Sequence, residues 1–350
     1  MSTTAAEMET SESSQAEITP TLRVSSLRAE FRTDSGTAIA VDGMSYDVHA
    51  GETLAIVGES GSGKSVTSLA IMGLIPNPPG RVTAGEVWFE NHDLLKLSER
   101  EMQKIRGNKV SMIFQEPMTS LNPVLSIERQ MVEGIIEHLD LSPHAARQHA
   151  LDMLKRVHIP DPESRLSEFP HQLSGGMLQR IMIAMALSCN PMVLLADEPT
   201  TALDVTIQAQ ILNIMCDLRD EFDTAIVLIT HDMGVVAEMA DRVIIMYAGR
   251  KVEEGTVTNI FQNPQHPYTR GLLGALPKLG FAGPVGSQTL NEIPGIVPAL
   301  TDLPAGCRFA ARCSYATEQC VAQYPPFEEK TTAHWAACWE SANLPEGNQE

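Results

Sequence analysis

Residues 58–65 read GESGSGKS, and few side-chain sets are so narrowly suited to one kind of chemistry. A chain of phosphates needs backbone N–H groups turned inward, and glycine allows the tight bend that turns them. Gly58, Gly61 and Gly63 give that freedom, with Ser60 and Ser62 between them. Lys64 has the length to reach the outer phosphates, and the Ser65 hydroxyl is placed to bind Mg²⁺. The apolar run Thr53–Val57 before the loop predicts a strand, and Val66–Leu74 after it predicts a helix. The positive end of that helix would face the same phosphates.

Two further clusters carry chemistry. Residues 193–198 read VLLADE, an apolar strand ending in two acids. Asp197 is assigned to Mg²⁺ and Glu198 to the attacking water of phosphoryl transfer. Residues 173–176 read LSGG and open the helical stretch Met177–Leu187, so Ser174, Gly175 and Gly176 form a second anion-binding helix start. Two such starts in one chain predict a head-to-tail dimer, in which this loop closes on the partner's nucleotide.

The elements that must hold these groups follow from periodicity. Short apolar runs at Met192–Ala196, Ala225–Thr230 and Val243–Tyr247 read as strands buried on both faces, as parallel strands are. Leu22–Val24 with Leu27–Phe31 reads as a first strand, Ile39–Val48 as a strand pair after a turn at Ser35-Gly36, and Gly85–Phe89 and Val110–Phe114 add further strands. Residues 125–170 switch to helical spacing, which predicts a helical subdomain inserted into a sheet protein. Beyond Gly255, proline and glycine accumulate, and 256–350 reads as a separate C-terminal extension.

Bulk properties narrow the function. Of 350 residues, 43% are hydrophobic, enough for a sizeable core. The net charge of −19, from 44 acidic against 25 basic residues, argues against broad nucleic-acid binding and against docking on anionic lipid. No apolar run approaches the roughly 18 residues of a membrane span. Residues 1–20 are rich in Ser, Thr and Glu, lack a secretory pattern and read as a disordered tail, so a cytoplasmic location is expected. Cys189 and Cys216 read as core residues, whereas Cys307, Cys313, Cys320 and Cys338 crowd the last fifty positions as C-x5-C-x6-C-x17-C. Four thiolates suit zinc or an iron–sulfur cluster, and the lack of a C-x2-C pair tilts the reading toward the cluster. Arg308 and Arg312 stand where they would soften its charge.

With these motifs in order, residues 20–260 resemble the ATP-binding-cassette family. The resemblance implies an α/β fold: a P-loop cassette (21–255) with a mainly parallel sheet, an antiparallel β subdomain and a helical subdomain near 116–188. The loop-rich cysteine-containing extension follows it. Gln115 resembles the Q-loop glutamine, Asp204 in Ala202-Leu203-Asp204 the D-loop, and His231 the switch histidine on the γ-phosphate. Phe31 is either the adenine-stacking aromatic or a core strand residue. Met177 stands where the family usually has Gln. GESGSGKSV, FQEPMTSLNP, HQLSGGM, ADEPTTALDVTIQAQIL and NPQHPYT resemble the dipeptide/oligopeptide importer branch. In that branch FQEPMTSLNP lies where importers receive the coupling helix of the membrane subunit. The resemblance implies ATP and Mg²⁺, and a four-iron, four-sulfur cluster on the four cysteines. It also implies a paralogous ATPase partner, two membrane-spanning permease subunits and an extracytoplasmic solute-binding protein. The chain would then sit peripherally on the cytoplasmic face of the membrane, without nucleic acid. Nickel chelates or oligosaccharides are the alternative cargo of that branch, and the competing classes are a soluble cassette acting on nucleic acid or ribosomes, and an iron–sulfur interaction protein with a vestigial ATPase. One cassette, no heptad run and the acidic charge weigh against the first, and the intact catalytic set against the second.

Overall fold

Apolar runs with no polar alternation can be buried only if both faces are covered, and that requirement organises the molecule. The computed structural model describes residues 19–201, 203–276 and 293–345, so positions 1–18 of the expected tail lie outside the described residues. The chain begins with β1 (Leu22–Thr33), β2 (Gly36–Val48), β3 (Thr53–Val57), α1 (Lys64–Ile71), β4 (Gly80–Phe89), β5 (His92–Asp93), α2 (Glu99–Ile105) and β6 (Val110–Ile113). Helices then dominate: α3 (Pro117–Ser120), α4 (Ile127–Leu139), α5 (Pro143–Arg156), α6 (Pro162–Leu166) and α7 (Gly175–Leu187). The cassette continues through β7 (Val193–Asp197), α8 (Val205–Phe222), β8 (Ala225–Thr230), α9 (Met233–Met239), β9 (Arg242–Tyr247) and β10 (Arg250–Thr256). Last come α10 (Val257–Gln262), α11 (Pro267–Gly274), α12 (Glu318–Ala322), β11 (Glu328–Thr331) and β12 (His334–Ala336).

The larger sheet has the order β11-β12-β10-β9-β3-β8-β7-β6. Its run from β9 to β6 is parallel, and β3, β7 and β8 are buried along their whole length. The second sheet, β2-β1-β4-β5, is antiparallel. The expected first strand is the single element β1, whereas Ile39–Val48, expected as a strand pair, lies in the one strand β2. The ladder slips between Val24 and Leu27, and Ser26 takes a positive φ of 48°, so a bulge absorbs the break.

Helices α4 to α7 pack Met131, Ile135, Leu151, Leu154, Leu178 and Ile181 into one core with Leu194 and Leu228 of the sheet. Each long helix start here has a polar cap: Ser126 accepts from the Arg129 amide at 3.3 Å, and Ser142 from the Ala145 amide at 3.3 Å. A third core joins the parallel sheet to the C-terminal extension through Tyr247, Tyr268 and Phe309. The two tyrosine rings meet edge-on with centroids 4.7 Å apart.

The extension also adds strands to the cassette sheet. β12 pairs with β10, and β11 with β12. The sequence hid β10, because RKVEEGT reads as polar surface. Its two glutamates are buried because each has charged or donor partners there. Glu254 takes Arg242 and Lys251, and Glu253 takes His334 and the backbone of the following loop.

Candidate active site

Strand order explains why residues far apart in sequence meet. β3, β8, β7 and β6 are parallel neighbours, so their carboxyl ends share one edge of the sheet. A crevice outside such an edge is where open α/β sheets bind ligands. The glycine loop follows β3, Gln115 lies just past β6, Glu198 just past β7, and His231 just past β8.

The loop is held close by its surroundings. Gly63 has φ 99°, and a Cβ there would come within 2.1 Å of the Ala40 carbonyl oxygen. At Gly58 a Cβ would meet the Met246 carbonyl oxygen at 2.3 Å, so neither position admits a side chain. Lys64 is buried and donates to the carbonyls of Gly58 (2.8 Å) and Glu59 (3.1 Å). Burial lowers its pKa, and the carboxylates of Glu198, Asp197 and Glu59 pull it back up. Ser62 Oγ is buried and makes no hydrogen bond among the described residues. An unpaired buried hydroxyl in a glycine-rich loop suits a phosphate oxygen. Ser60, Gly61, Ser62, Gly63, Lys64 and Ser65 all line one cavity of about 390 Å³.

Ser65 Oγ donates to Asp197 Oδ1 at 2.9 Å, bringing two hard oxygen ligands together at the mouth of helix α1. That donor set fits Mg²⁺, which keeps most of its shell as water and substrate phosphate oxygens. Asp197 is buried, and desolvation raises its pKa against the opposing Ser65 hydrogen bond. Its neighbour Glu198 differs. Burial raises it, but hydrogen bonds from Thr201 and His231 outweigh that and hold its pKa below the usual carboxylate range. Thr201 Oγ1 and Gln115 Nε2 reach Glu198 Oε2 at 2.9 and 3.0 Å, and His231 Nδ1 reaches Oε1 at 3.1 Å. Glu198 also takes φ 46°, a strained conformation for a residue with a side chain, while its amide bonds to the Ile229 carbonyl at 2.9 Å. Strain of this kind gathers at functional positions. Two adjacent carboxyls with oppositely shifted pKa values are suited to different tasks.

Phe31 lines the same cavity, beside Ala38 and Ala40. The LSGG segment does not. Ser174 caps its own helix by accepting from the Met177 amide at 3.4 Å, and Ser174 and Gly175 are exposed, with nothing within 4 Å of a Cβ at Gly175. Asp204 caps α8, accepting from the Ile207 amide at 2.9 Å; its neighbour Ala202 lies outside the described residues.

The cysteine reading needs correction. Among the described residues no three His, Cys, Asp or Glu side chains are grouped to hold a metal ion, which overturns the iron–sulfur and zinc expectation for Cys307, Cys313, Cys320 and Cys338. All four are free thiols around one small, largely apolar cavity. Burial pushes the Cys307 thiol up to about 11 and raises those of Cys313 and Cys338. The two arginines have other partners. Arg308 binds Asp42 and the Ala248 carbonyl. Arg312 reaches Glu59 inside the glycine loop at 2.9 Å.

Sequence reasoning missed four residues that touch or brace the site: Thr201, Tyr268, Arg312 and Leu300. Tyr268 Oη accepts the Glu59 amide hydrogen at 2.8 Å, so the extension grips the loop twice. Thr201 and Tyr268 lie inside stretches already conspicuous, ADEPTTALD and NPQHPYT. Leu300 and Arg312 carry no local signal.

Comparisons with known proteins agree with this geometry. Residues 41–201 match the family model described as ABC transporter, and residues 252–320 match that of the oligopeptide/dipeptide transporter C-terminal region. The chain is 52% identical over 322 residues to the oligopeptide transport ATP-binding protein OppD of Bacillus subtilis (strain 168), covering 92% of this chain and 89% of that protein. It is also 52% identical over 318 residues to the dipeptide transport ATP-binding protein DppD of the same organism, covering 91% and 94%. Among solved structures it is similar to a dimeric bacterial ABC transporter cassette, with TM-score 0.61 and 30% identity over 67% of this chain and 98% of that one. A dimeric post-hydrolysis cassette bound to ADP and Pi matches with TM-score 0.61 and 29% identity over the same shares.

Proposed function

This chain belongs to the ABC transporter family, and from that premise we propose that it is the ATP-hydrolysing subunit of a bacterial importer of dipeptides or oligopeptides. The observation that carries the reading is the convergence of Gln115, Thr201 and His231 on the Glu198 carboxylate, beside a lysine-bearing phosphate loop. The names of the relatives support the cargo class, and the matching C-terminal region supports the branch.

Residues 21–255 act as the nucleotide-binding cassette, with 116–188 as its helical subdomain and 256–350 as an extension. Lys64 and the loop amides hold the β- and γ-phosphates of ATP. Ser65 and Asp197 would hold Mg²⁺, which would supply charge neutralisation at the phosphates. Glu198, ionised at neutral pH, accepts a hydrogen bond from the attacking water, Gln115 orients that water, and His231 lies toward the γ-phosphate. Phosphoryl transfer asks mainly for positioning and charge stabilisation, which these groups supply.

The exposed Ser174–Gly176 helix start leaves each site one wall short. A second cassette supplies that wall, each LSGG closing on the ATP held by its partner, with Asp204 at the interface. The dimeric cassettes among the similar structures support this arrangement. The partner is a paralogous ATPase. Two permease subunits receive the pair at the cytoplasmic face of the membrane, and an extracytoplasmic solute-binding protein delivers cargo. Among the described residues no helix is long and apolar enough to cross a membrane, so these contacts hold the chain there.

Replacing Ser174 by Arg and Gly175 by Asp in every cassette of the assembled transporter tests the shared site. ATP turnover should fall by at least about 100-fold, as expected when transition-state charge contacts are lost. Undiminished turnover would sink the dimer reading.

A further inference from the structure

The nucleotide cavity has one wall from outside the cassette. Leu300, in the C-terminal extension, lines it together with the phosphate loop and Phe31. Position along the cavity follows from the backbone. Gly63 abuts the Ala40 carbonyl, which fixes the phosphate end of strand β2. Ala38 lies two residues farther toward the hairpin tip on the same face, and Phe31 is its cross-strand partner. The glycine loop, Ser65 and Glu198 thus line one end, and Phe31, Ala38 and Leu300 the other.

Leu300 is held there. Its carbonyl accepts the Ile39 amide hydrogen at 3.0 Å, satisfying a donor on the outer edge of β2. The start of the same segment is clamped by Arg312, which donates to the carbonyls of Ile293 (3.2 Å) and Pro294 (2.9 Å) while binding Glu59. One arginine therefore ties the Leu300 segment and the phosphate loop into a single unit.

We propose that Leu300 is a base-contacting residue of the ATP site, packing on the face or edge of the nucleobase opposite or beside Phe31. The C-terminal extension is then part of the nucleotide pocket as well as a sheet extension. An apolar pair at this end recognises a flat, weakly polar ring by contact area, a role separate from phosphate binding. The inference rests on the ATP-site reading above and adds a residue to it.

The test compares ATP with inorganic tripolyphosphate, which has the phosphates and no base, on the full-length chain with Mg²⁺. Leu300→Ala should weaken ATP binding about five- to tenfold, consistent with loss of a partly buried leucine contact. Tripolyphosphate affinity should stay unchanged, while the melting temperature without nucleotide should fall slightly, because Leu300 also packs against the Tyr247, Tyr268 and Phe309 core. A Leu300→Trp variant should change its fluorescence with ATP and not with tripolyphosphate. Equal weakening of both ligands overturns the proposal, because Leu300 would then act only through the loop. Unchanged ATP affinity in Leu300→Ala, with a loss in Phe31→Ala, also overturns it and leaves the ATP-site reading intact. If neither variant alters ATP affinity, the orientation of the nucleotide fails with it.

Discussion

Glu198 combines three features that seldom occur together in a structural residue. It has a positive φ, three side-chain donors on one carboxylate, and a pKa held low despite partial burial. The donors stabilise the charged form, so the carboxylate is ready at neutral pH. Replacing it by Gln keeps the size and removes the charge. Glu198→Gln should bind ATP with near-normal affinity and hydrolyse it at least 10²- to 10³-fold more slowly, since phosphoryl transfer depends on these placed charges. Single-turnover assays with radiolabelled ATP, alongside equilibrium binding, separate the two effects. Hydrolysis at the unaltered rate would remove Glu198 from its role. Asp197 differs for a physical reason: it lies deeper, and desolvation dominates its titration.

Among elements, helix α11 depends on an unusual cap. His266 Nδ1 accepts the Tyr268 amide hydrogen at 3.1 Å, which requires a neutral ring with its proton on Nε2. Burial pushes the His266 pKa from 6.5 down to about 3. The unfolded chain therefore takes up a proton below about pH 6.5 that the folded chain refuses. Bound protons favour unfolding in that window, so stability falls as pH drops from 6.5 toward 3. Between pH 6.5 and 5 the contribution is about 2 kcal/mol, from 1.36 kcal/mol per pH unit. Thermal melting across pH 5–8 checks it: His266→Asn, which keeps a capping side chain, should show a shallower decline than the parent. An identical decline in both would mean that His266 does not supply the pH dependence.

At the scale of the whole molecule, Glu253 joins cassette and extension. It is fully buried on β10 and accepts from the amides of Gln265 (2.5 Å) and His266 (3.0 Å), from Thr269 Oγ1, and from His334 Nε2 (2.7 Å) on β12. One carboxylate thus organises the NPQHPYT turn, helix α11 and the added strand. Removing it leaves four buried donors unpaired, at a cost of about 3–5 kcal/mol. Glu253→Ala should lose hydrogen-exchange protection first at residues 265–275 and 334–337, with β3 and β7 still protected. Uniform loss across all strands would mean that cassette and extension unfold as one unit. Because Tyr268 and Arg312 brace the phosphate loop from the extension, the same variant should also weaken ATP binding.

The sequence alone determined the chemistry that fits within a few consecutive residues. The glycine loop, the acid pair after an apolar strand and the LSGG helix start are legible because phosphate binding uses neighbouring backbone amides. The helical insertion was legible because one-sided burial imposes a period, and the central strands because burial on both faces leaves an unbroken apolar run. Tertiary structure decided what has no period. Strand order brought Gln115, Glu198 and His231 to one edge. Paired charges buried the polar strand β10. Arg312 went to Glu59 rather than to the cysteines. Leu300 reached the nucleotide cavity from 260 positions beyond its neighbour Ala40. Each of these depends on which surfaces meet after folding, and contacts between distant segments leave no trace in local spacing.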